Sequence, residues 1–458
     1  MTSIPDSPMR PLASIAELRQ FFVGKDISDV PKPAVVLDVN VVQRNCAAML
    51  RTMKALKVGF RAHVKSHKVP QIARLQVGEG DDEVKFVTST VLEIEILLPL
   101  LKEYKSDGRR VNVLYGVPLV PSQVLRLAAI ASELGEDSIS VMIDHPDQLP
   151  CLQEFYNTTG FPACIFVKVD AGYHRAGLPP AMLNKGGLLQ KLAEAEESGV
   201  ARLLGLYSHS SLSYSGNSPN EAMAHLSREI TACRDALLNN MEFLHPGRKI
   251  TISVGATPQV VSSQDLLNPT SSSQQARSLK ALLANPCGAN SKYDIHLELH
   301  AGVYPILDMQ QVATRARSGM NGAETEIAIS VVAEVASTYT AAERGQPEAL
   351  VAVGTLGLGR EPCQGDLGWG LVGSWRRETA PAQLIVNRIS QEHSIISWAA
   401  YDESRDADIP VRVGQTVRIY PNHACVTGAM YGWYLVVDSE VDSESAKIVE
   451  VWVRPSGW

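Results

Sequence analysis

The segment RAHVKSHK, residues 61–68, places two lysines and two histidines directly behind an apolar stretch. A cluster of this kind is typical of a solvated turn, a metal site or a reactive amine. On an extended strand, His63 and Lys65 would share one face. A lysine that is directed into an enclosed site loses hydration, and its amine becomes a usable nucleophile or base. Lys65 is therefore the first candidate for chemistry, whereas Lys68 suits a solvated position at the start of a helix.

Two turns late in the sequence, SVGATPQ (253–259) and HAGVYP (300–305), have the residue types of an anion-binding site. Gly255 and Gly302 would let the backbone approach an anion closely, and Thr257 adds a hydroxyl group. A lysine combined with phosphate-binding turns indicates a phosphorylated aldehyde cofactor, pyridoxal 5'-phosphate (PLP), bound as an imine.

A metal site is indicated by RIYPNHACVTG, residues 418–428. His423 and Cys425 are two residues apart, so both side chains would face the same way on an extended strand. Imidazole nitrogen and thiolate sulfur are good ligands for zinc. Two ligands are too few for a structural zinc site, but they suit a catalytic site with open positions for water or substrate. A third protein ligand from elsewhere and simple core packing of both residues are the alternatives.

The elements that position these residues alternate between short β-branched runs and helical patterns from about residue 58 to 300. The strand candidates are VGFRAHV, KFVTST, VNVLYG, ISVMID, ACIFVKVD, RLLGLYSH, KITISVG and DIHLELH. Eight strands that alternate with helices predict a parallel sheet closed into a (β/α)₈ barrel of the TIM type, with an open doubly wound sheet as the alternative. In such a barrel, chemistry takes place at the C-terminal ends of the strands. Lys65 then ends strand one, and the two glycine turns follow strands seven and eight.

Past residue 320 the pattern changes to strands separated by turns rich in Gly, Asp and Ser, which predicts a second, all-β domain. We place the barrel at residues 41–315 and the β domain, with the metal pair, at residues 316–458. Residues 1–40 include the strand candidate PAVVLDV and are predicted to pack with the β domain. The segment 262–278 is low in apolar residues and high in Ser and Gln, which predicts a surface insertion.

The composition is that of a soluble globular protein, with 45% apolar and 20% charged residues in 458. The net charge of −7 and the lack of a Lys/Arg stripe argue against nucleic acid as a partner. The N-terminus lacks the apolar core of a signal peptide, and the most apolar segment, VLEIEILLPLL, is too short to span a bilayer. Seven scattered cysteines argue against a disulfide scaffold. We therefore expect no membrane association and a reducing, cytoplasmic location.

The segments RAHVKSHK, DAGYHRAG, LYSHSSLSY, SVGATP, ELHAGVY and PNHAC together resemble the eukaryotic zinc-dependent D-serine dehydratases. These are fold-type III PLP enzymes, the group of alanine racemase and D-threonine aldolase. The resemblance runs from about residue 30 to 450. It implies an N-terminal (β/α)₈ barrel that carries PLP and a C-terminal β domain that supplies zinc (Zn²⁺).

The resemblance also implies roles for particular residues. Lys65 matches the lysine that forms the Schiff base with PLP, and His423 and Cys425 match the zinc ligands. The residues that match cofactor contacts are Arg175, Tyr207, Tyr214, Thr257, Gly302 and Val303, the last through its backbone. The chain departs from the family at three places: Ala62 stands where proline is usual, Ala301-Gly302-Val303 stands where Pro-Gly-Asn is usual, and the small residues before Tyr214 differ.

The implied reaction is β-elimination of D-serine to pyruvate and ammonia, a D-serine ammonia-lyase activity. Lys65 would be both the Schiff-base lysine and the base that removes the α-proton, while zinc would activate the β-hydroxyl as a leaving group. The expected partner is a small D-amino acid. Related enzymes commonly complete their sites across a dimer interface, so a homodimer is expected.

Three other functions stay open at this point. A D-threonine aldolase would cleave D-β-hydroxy amino acids by a retro-aldol reaction on the same fold. Cys425 argues against it, because such aldolases usually offer a carboxylate beside the histidine, and a thiolate suits zinc better than manganese or magnesium. A non-catalytic PLP-binding protein would consist of the barrel alone, without a β domain. An inactive relative is the third alternative, since the asparagine of the usual Pro-Gly-Asn turn is missing.

Overall fold

The computed structural model describes residues 12–80, 82–244, 248–268, 273–287, 294–320, 322–365, 368–373, 383–400, 408–440 and 446–458. Its strands are β1 (Ala34–Asp38), β2 (Gly59–His63), β3 (Glu83–Thr88), β4 (Arg110–Pro118), β5 (Ile139–Ile143), β6 (Ala163–Lys168), β7 (Ala201–Tyr207), β8 (Lys249–Val254), β9 (Asp294–Ala301), β10 (Ile329–Tyr339), β11 (Glu348–Val351), β12 (Gly370–Gly373), β13 (Leu384–Ile389), β14 (Ser394–Trp398), β15 (Thr416–Pro421), β16 (Trp433–Val437) and β17 (Ile448–Val453). Its α-helices are α1 (Ile15–Phe22), α2 (Val39–Leu56), α3 (Pro70–Val77), α4 (Val91–Ser106), α5 (Val124–Leu134), α6 (Leu149–Thr159), α7 (Leu188–Glu197), α8 (Pro219–Leu238), α9 (Thr257–Ser262), α10 (Gln274–Ala284), α11 (Met309–Ala313), α12 (Ala323–Glu326), α13 (Ala341–Arg344), α14 (Thr355–Leu358) and α15 (Ala424–Ala429). Short 3₁₀ helices lie at Ile27–Asp29, Pro121–Gln123, Pro146–Gln148, Pro180–Met182, Lys185–Gly187, Ser211–Ser215, Met241–Phe243 and Ser263–Leu267.

Strands β2 to β9 form a closed parallel barrel in chain order, with β9 pairing back onto β2. Each of them overlaps one of the eight predicted strand segments, so the (β/α)₈ prediction is confirmed and the open-sheet alternative is wrong. Apolar residues of β2–β9 and of the surrounding helices share one large core. A parallel sheet covered by helices buries both faces of its strands, which accounts for their nearly continuous β-branched runs.

The inside of the barrel holds a buried ion pair below the predicted site. Arg61, on β2, places Nε 2.6 Å from Oε1 of Glu298, on β9, and both side chains are almost fully buried. Lys85 and the hydroxyl of Ser253 also contact the Glu298 carboxylate. Burial alone would raise the pKa of Glu298, but the charges of Arg61 and Lys85 outweigh it and lower this pKa to about 2.

The remaining strands form a second sheet in the order β11-β14-β13-β12-β15-β10-β1-β16-β17. Because β11 also pairs with β10, the strands from β10 to β15 close on themselves around their own apolar core. Strand β1 pairs antiparallel with β10 and parallel with β16, so the strand that precedes the barrel is part of the C-terminal sheet. The exact domain boundaries stay a prediction. In the described part of the chain, no helix is long and apolar enough to cross a membrane.

The prediction of a surface insertion at 262–278 is wrong for its first part. Residues Ser262, Ser263 and Leu266 are buried. The two serine hydroxyls donate to backbone carbonyls of the preceding turn, which is how polar side chains satisfy their hydrogen bonds inside a protein. The carboxylate of Asp265 accepts from the backbone N–H of Ser318, 2.9 Å away. Residues 269–272 lie outside the described residues.

The Arg61–Glu298 pair generates a stability prediction. Glu298→Gln should destabilise the protein by about 3–5 kcal/mol, because Arg61 would stay buried without its carboxylate partner. Urea unfolding followed by circular dichroism at pH 7 measures this. The folded-state pKa of Glu298 lies below the ordinary value of 4.5, so the advantage of the wild type is present above that pH and is lost as the pH falls toward 2.

The control is Glu103→Gln, which breaks an exposed ion pair with Arg74. It should leave the unfolding midpoint unchanged. Equal midpoints for the wild type and Glu298→Gln at pH 7 would contradict the prediction.

Candidate active site

Lys65 lies in the turn directly after β2, at the C-terminal end of the barrel that we call the mouth (the strand ends of β2–β9 and the turns that follow them). Its side chain is half-buried, and its backbone N–H points to Nδ1 of His63 at 3.4 Å. Strand β2 ends at His63, so Lys65 is just past the strand rather than within it. Lys68 is not solvated as predicted, because it forms an ion pair of 3.1 Å with Glu93, a buried residue of α4.

The two glycine turns meet at the mouth. Thr257 begins α9 after β8, and its buried Oγ1 accepts hydrogen bonds from the backbone N–H groups of Gly302 (3.3 Å) and Val303 (3.1 Å) after β9. Both acceptor positions of this oxygen are used, so the Thr257 hydroxyl can still donate its hydrogen to a ligand. A Cβ on Gly302 would lie 3.1 Å from Cβ of His63, so the turn also packs closely against β2. The structure therefore brings Thr257, Gly302 and Val303 together.

Tyr207 ends β7 inside the barrel and stacks on the ring of His300, the centroids being 4.3 Å apart and the planes 3° apart. Nδ1 of His300 is 3.2 Å from the hydroxyl of Ser253, which donates to Glu298. Nε2 of His300 is buried without a hydrogen-bond partner among the described residues. On the other side, Nζ of Lys168 lies 4.5 Å from the centroid of the Tyr207 ring.

Tyr214 and Arg175 lie at the rim of the mouth. Burial raises the pKa of Tyr214, and the negative charges of Cys425 and Asp308 raise it further, so Tyr214 is on the side of the metal pair. Arg175 follows β6 and is mostly exposed. It is nevertheless close enough to contribute to the lowered pKa of His63.

The mouth combines cations with neutral histidines. Burial is the main reason that the pKa values of His63, His209 and His300 are well below the ordinary range. The positive charges of nearby lysines, Lys65 for His63 and His209 and Lys168 for His300, lower them further. A cluster of positive charges of this kind attracts anionic groups such as a phosphate or a carboxylate.

The metal pair is not on a strand, contrary to the prediction. Strand β15 ends at Pro421, His423 is the residue that precedes α15, and Cys425 is in the first turn of that helix. Nδ1 of His423 is buried without a hydrogen-bond partner among the described residues. Burial would lower the pKa of His423, but the Cys425 thiol and the carboxylates of Asp308 and Glu361 raise it to about 9.

The lysine turn and the metal pair meet in space. The Sγ of Cys425 lies 3.2 Å from the hydroxyl of Ser66, the residue after Lys65. Burial alone would raise the pKa of Cys425, but His423, Ser66 and Lys65 together lower it below the ordinary value. No cluster of three His, Cys, Asp or Glu residues that could hold a metal occurs in the described ranges, so the two predicted ligands have no third protein ligand there.

Comparison with known proteins decides the family. Residues 328–437 match the family model described as "Putative serine dehydratase domain", and residues 37–264 match that described as "Alanine racemase, N-terminal domain". A D-serine dehydratase from Schizosaccharomyces pombe is 34% identical over 451 residues, which cover 96% of this chain and 95% of that protein. The chain belongs to the D-serine dehydratase family. With it, the chain is one of the fold-type III PLP enzymes.

Two further comparisons bear on the alternatives. The solved structure of D-threo-3-hydroxyaspartate dehydratase from Delftia sp. HT23 superimposes with a TM-score of 0.70 and 23% identity, covering 95% of this chain and 100% of that one, which supports the shared fold. A D-threonine aldolase from Arthrobacter sp. is 26% identical over only 34% of this chain and 38% of that protein. The D-serine dehydratase family therefore matches much more of the chain than the aldolase does.

The residues present fit both groups that the D-serine dehydratase family implies. The mouth offers an amine on Lys65, a hydroxyl on Thr257, and the buried atoms Nε2 of His300 and Oγ of Ser208, which have no hydrogen-bond partner in the described part of the chain and suit a polar, phosphorylated ligand. The metal pair offers a thiol whose pKa is lowered and an imidazole Nδ1 that accepts or donates no hydrogen bond among the described residues and lies 3.7 Å from Oε2 of Glu361. Nitrogen and sulfur donors of this kind suit zinc.

Several residues of the site were missed from the sequence. His209 and His300 lie in quoted motifs, but they were assigned no role. Lys168 could have been found, since a lysine inside an apolar strand run must face a buried partner. Asp308 precedes α11 and is followed three residues later by Gln311, the spacing of a helix start. Its carboxylate is buried, and burial raises its pKa to about 6.

The lowered pKa of Cys425 predicts its reactivity. In the zinc-free protein at pH 7.5, iodoacetamide should modify Cys425 at least about tenfold faster than Cys363. A larger fraction of Cys425 is thiolate, and this outweighs the lower nucleophilicity of a less basic sulfur. The pKa of Cys363 is raised to about 11, mainly by burial. Mass spectrometry of timed samples measures both rates. His423→Ala should slow the reaction of Cys425 alone, and faster reaction of Cys363 would refute the prediction.

Proposed function

We propose that this chain is a PLP- and zinc-dependent lyase that converts D-serine to pyruvate and ammonia. Membership in the D-serine dehydratase family supports the reaction. The observation that carries the proposal for this chain is the contact of 3.2 Å between Ser66 and Cys425, because it brings the lysine turn and the metal pair together.

The proposed roles follow from the positions of the side chains. When bound, PLP would withdraw electrons from the α-carbon of the substrate and zinc would stabilise negative charge on the departing hydroxyl. Lys65 would hold PLP covalently and, once released, take the α-proton on its amine. His423 and Cys425 would hold the zinc.

The other residues of the mouth would bind and orient the cofactor. Thr257 would donate its hydroxyl hydrogen to the phosphate, and Gly302 and Val303, whose backbone N–H groups bind the same oxygen, would orient that hydroxyl and line the phosphate site with their backbone. Tyr207 would pack beside the cofactor ring from its position on His300, and Tyr214 would close the side toward the metal pair. Arg175 would contribute positive charge at the rim, which attracts the carboxylate of an entering substrate.

Three finer proposals accompany the reaction. The protein would act as a homodimer in the cytoplasm, as expected for its family. The domain boundaries would lie near residues 40 and 315. This is supported by the pairing of β1, which precedes the barrel strands in the sequence, with β10, which follows them. Light scattering of the purified protein tests the dimer.

The reaction is tested with purified PLP-loaded protein, D-serine and D-threonine, with and without a chelator. We expect pyruvate from D-serine, and we expect chelation to abolish it. Glycine and acetaldehyde from D-threonine as the main products would favour the aldolase instead. Faster turnover of D-threo-3-hydroxyaspartate than of D-serine would reassign the substrate, and activity that survives chelation would contradict the role of zinc.

Single variants separate the two groups of residues. Lys65→Ala should lose activity by about 10²–10⁴-fold or more, because it removes a general base, and should also lose the visible absorbance of covalently held PLP. Cys425→Ala should lose activity but keep that absorbance, since it affects the metal pair alone. Cys363→Ala is the matched control and should behave as the wild type. An active Lys65→Ala variant would refute the proposal.

A further inference from the structure

Asp308 connects the cofactor turn of the barrel to the metal pair. It follows Val303 by five residues and is almost fully buried. Its Oδ1 accepts the backbone N–H of Gln311 at 2.9 Å, and its Oδ2 accepts the backbone N–H of Ala424 at 2.8 Å. The two oxygens of one carboxylate therefore accept backbone N–H groups at the starts of two helices, α11 in its own segment and α15 in the β domain.

The helix that carries Cys425 depends on this contact. The first N–H groups of a helix have no partner within it, and the residue before the helix usually supplies one from its side chain. His423 occupies that position before α15, and its side chain makes no such hydrogen bond. Asp308 supplies the acceptor instead. The imidazole of His423 is thereby left without a capping role and can serve as a ligand.

We propose that Asp308 is a positioning residue of the metal site, whose carboxylate holds the start of α15 so that His423 and Cys425 face the mouth together. This inference rests on the proposed zinc site at those two residues. Within the described residues, the Asp308 carboxylate hydrogen-bonds to the backbone of Gln311 and Ala424 and not to the side chain of His423 or Cys425, so it acts through the backbone of Ala424.

The segment around Asp308 is well held on both sides. The N–H of Leu307 donates to the carbonyl of Val303 at 2.8 Å, and Val303 is bonded to Thr257. The N–H of Gln310 donates to the carbonyl of Asn422 at 3.1 Å. Hydrogen bonds therefore connect Thr257, in the phosphate-type turn, to Leu307, and the neighbouring residue Asp308 binds the first residue of α15.

The side chain of Asn422 fixes the same segment from the opposite side. Its Nδ2 donates to the carbonyls of Glu361 and Gly368, both at 2.9 Å. Because Asn422 thus stays anchored when residue 308 is changed, substitution of Asp308 should loosen the start of α15 without detaching the whole loop.

Two substitutions test the inference. Serine and asparagine both begin helices well, so Asp308→Ser and Asp308→Asn should preserve α11. Serine is too short to reach Ala424, and asparagine lacks the second carboxylate oxygen. Competition with a chelator on the PLP-loaded protein should give zinc affinities about 10–100-fold weaker than in the wild type, the usual effect of removing a residue that orients a metal ligand. The absorbance of bound PLP should not change.

A second measurement does not depend on zinc. In the chelated, PLP-loaded protein, hydrogen exchange of the peptide that contains α15 should be faster in both variants, while that of α11 stays unchanged. The matched control is Asp265→Asn, which also removes a buried carboxylate, but one whose side chain bonds Ser318 instead of the start of α15. It should bind zinc as the wild type does.

The outcomes separate this inference from the proposed function. Wild-type zinc affinity in both Asp308 variants, or equal weakening in Asp265→Asn, overturns the role of Asp308. Equal zinc affinity of the wild type and His423→Ala overturns the proposed metal site and this inference with it. In that case, faster exchange of α15 in the Asp308 variants would assign Asp308 a purely structural contact.

Discussion

The turn after β2 is held against the C-terminal domain, and the chemistry of the site depends on that contact. Ser66 meets the sulfur of Cys425 at 3.2 Å, and the hydroxyl of Tyr434 donates to the carbonyl of His67 at 3.4 Å. Ser66 and Cys425 are 359 residues apart in the sequence. In the proposed reaction, a lysine in this turn and a thiol of the C-terminal sheet would act on one small molecule, and these hydrogen bonds would hold the two segments together for it.

The barrel and the positions of most mouth residues could be predicted because they follow from periodicity and topology. A parallel barrel places all C-terminal strand ends on one face, so assigning eight strands already brings Lys65, Tyr207 and Thr257 to the same end. The buried ring of His300 beside Tyr207 could not be predicted in this way. Whether two inward-facing side chains stack depends on the stagger between β7 and β9, which no local pattern records.

The segment around the metal pair was harder to predict for a related reason. A spacing of two residues predicts a shared face on a strand, but Cys425 lies in the first turn of a six-residue helix whose start is bound by Asp308 from another part of the chain. Short helices have little intrinsic stability, so tertiary contacts decide whether they form. The same reasoning applies to residues 262–267, where polar composition predicted exposure but backbone carbonyls accept the buried serine hydroxyls.

The neutral state of the mouth histidines is the reason that proton transfer is proposed for the lysine. Burial keeps His63, His209 and His300 neutral at physiological pH. Protonating any of them would also add positive charge beside the cations that are already at the mouth. Their rings instead provide hydrogen-bonding nitrogens of fixed orientation, as His300 does between Ser253 and Tyr207. Positive charge then stays on the flexible side chains at the mouth, where it can be matched by a phosphate and by a substrate carboxylate. In the proposed reaction, a histidine of the mouth would compete poorly with Lys65 for the proton, because burial and the nearby positive charges disfavour its protonated form.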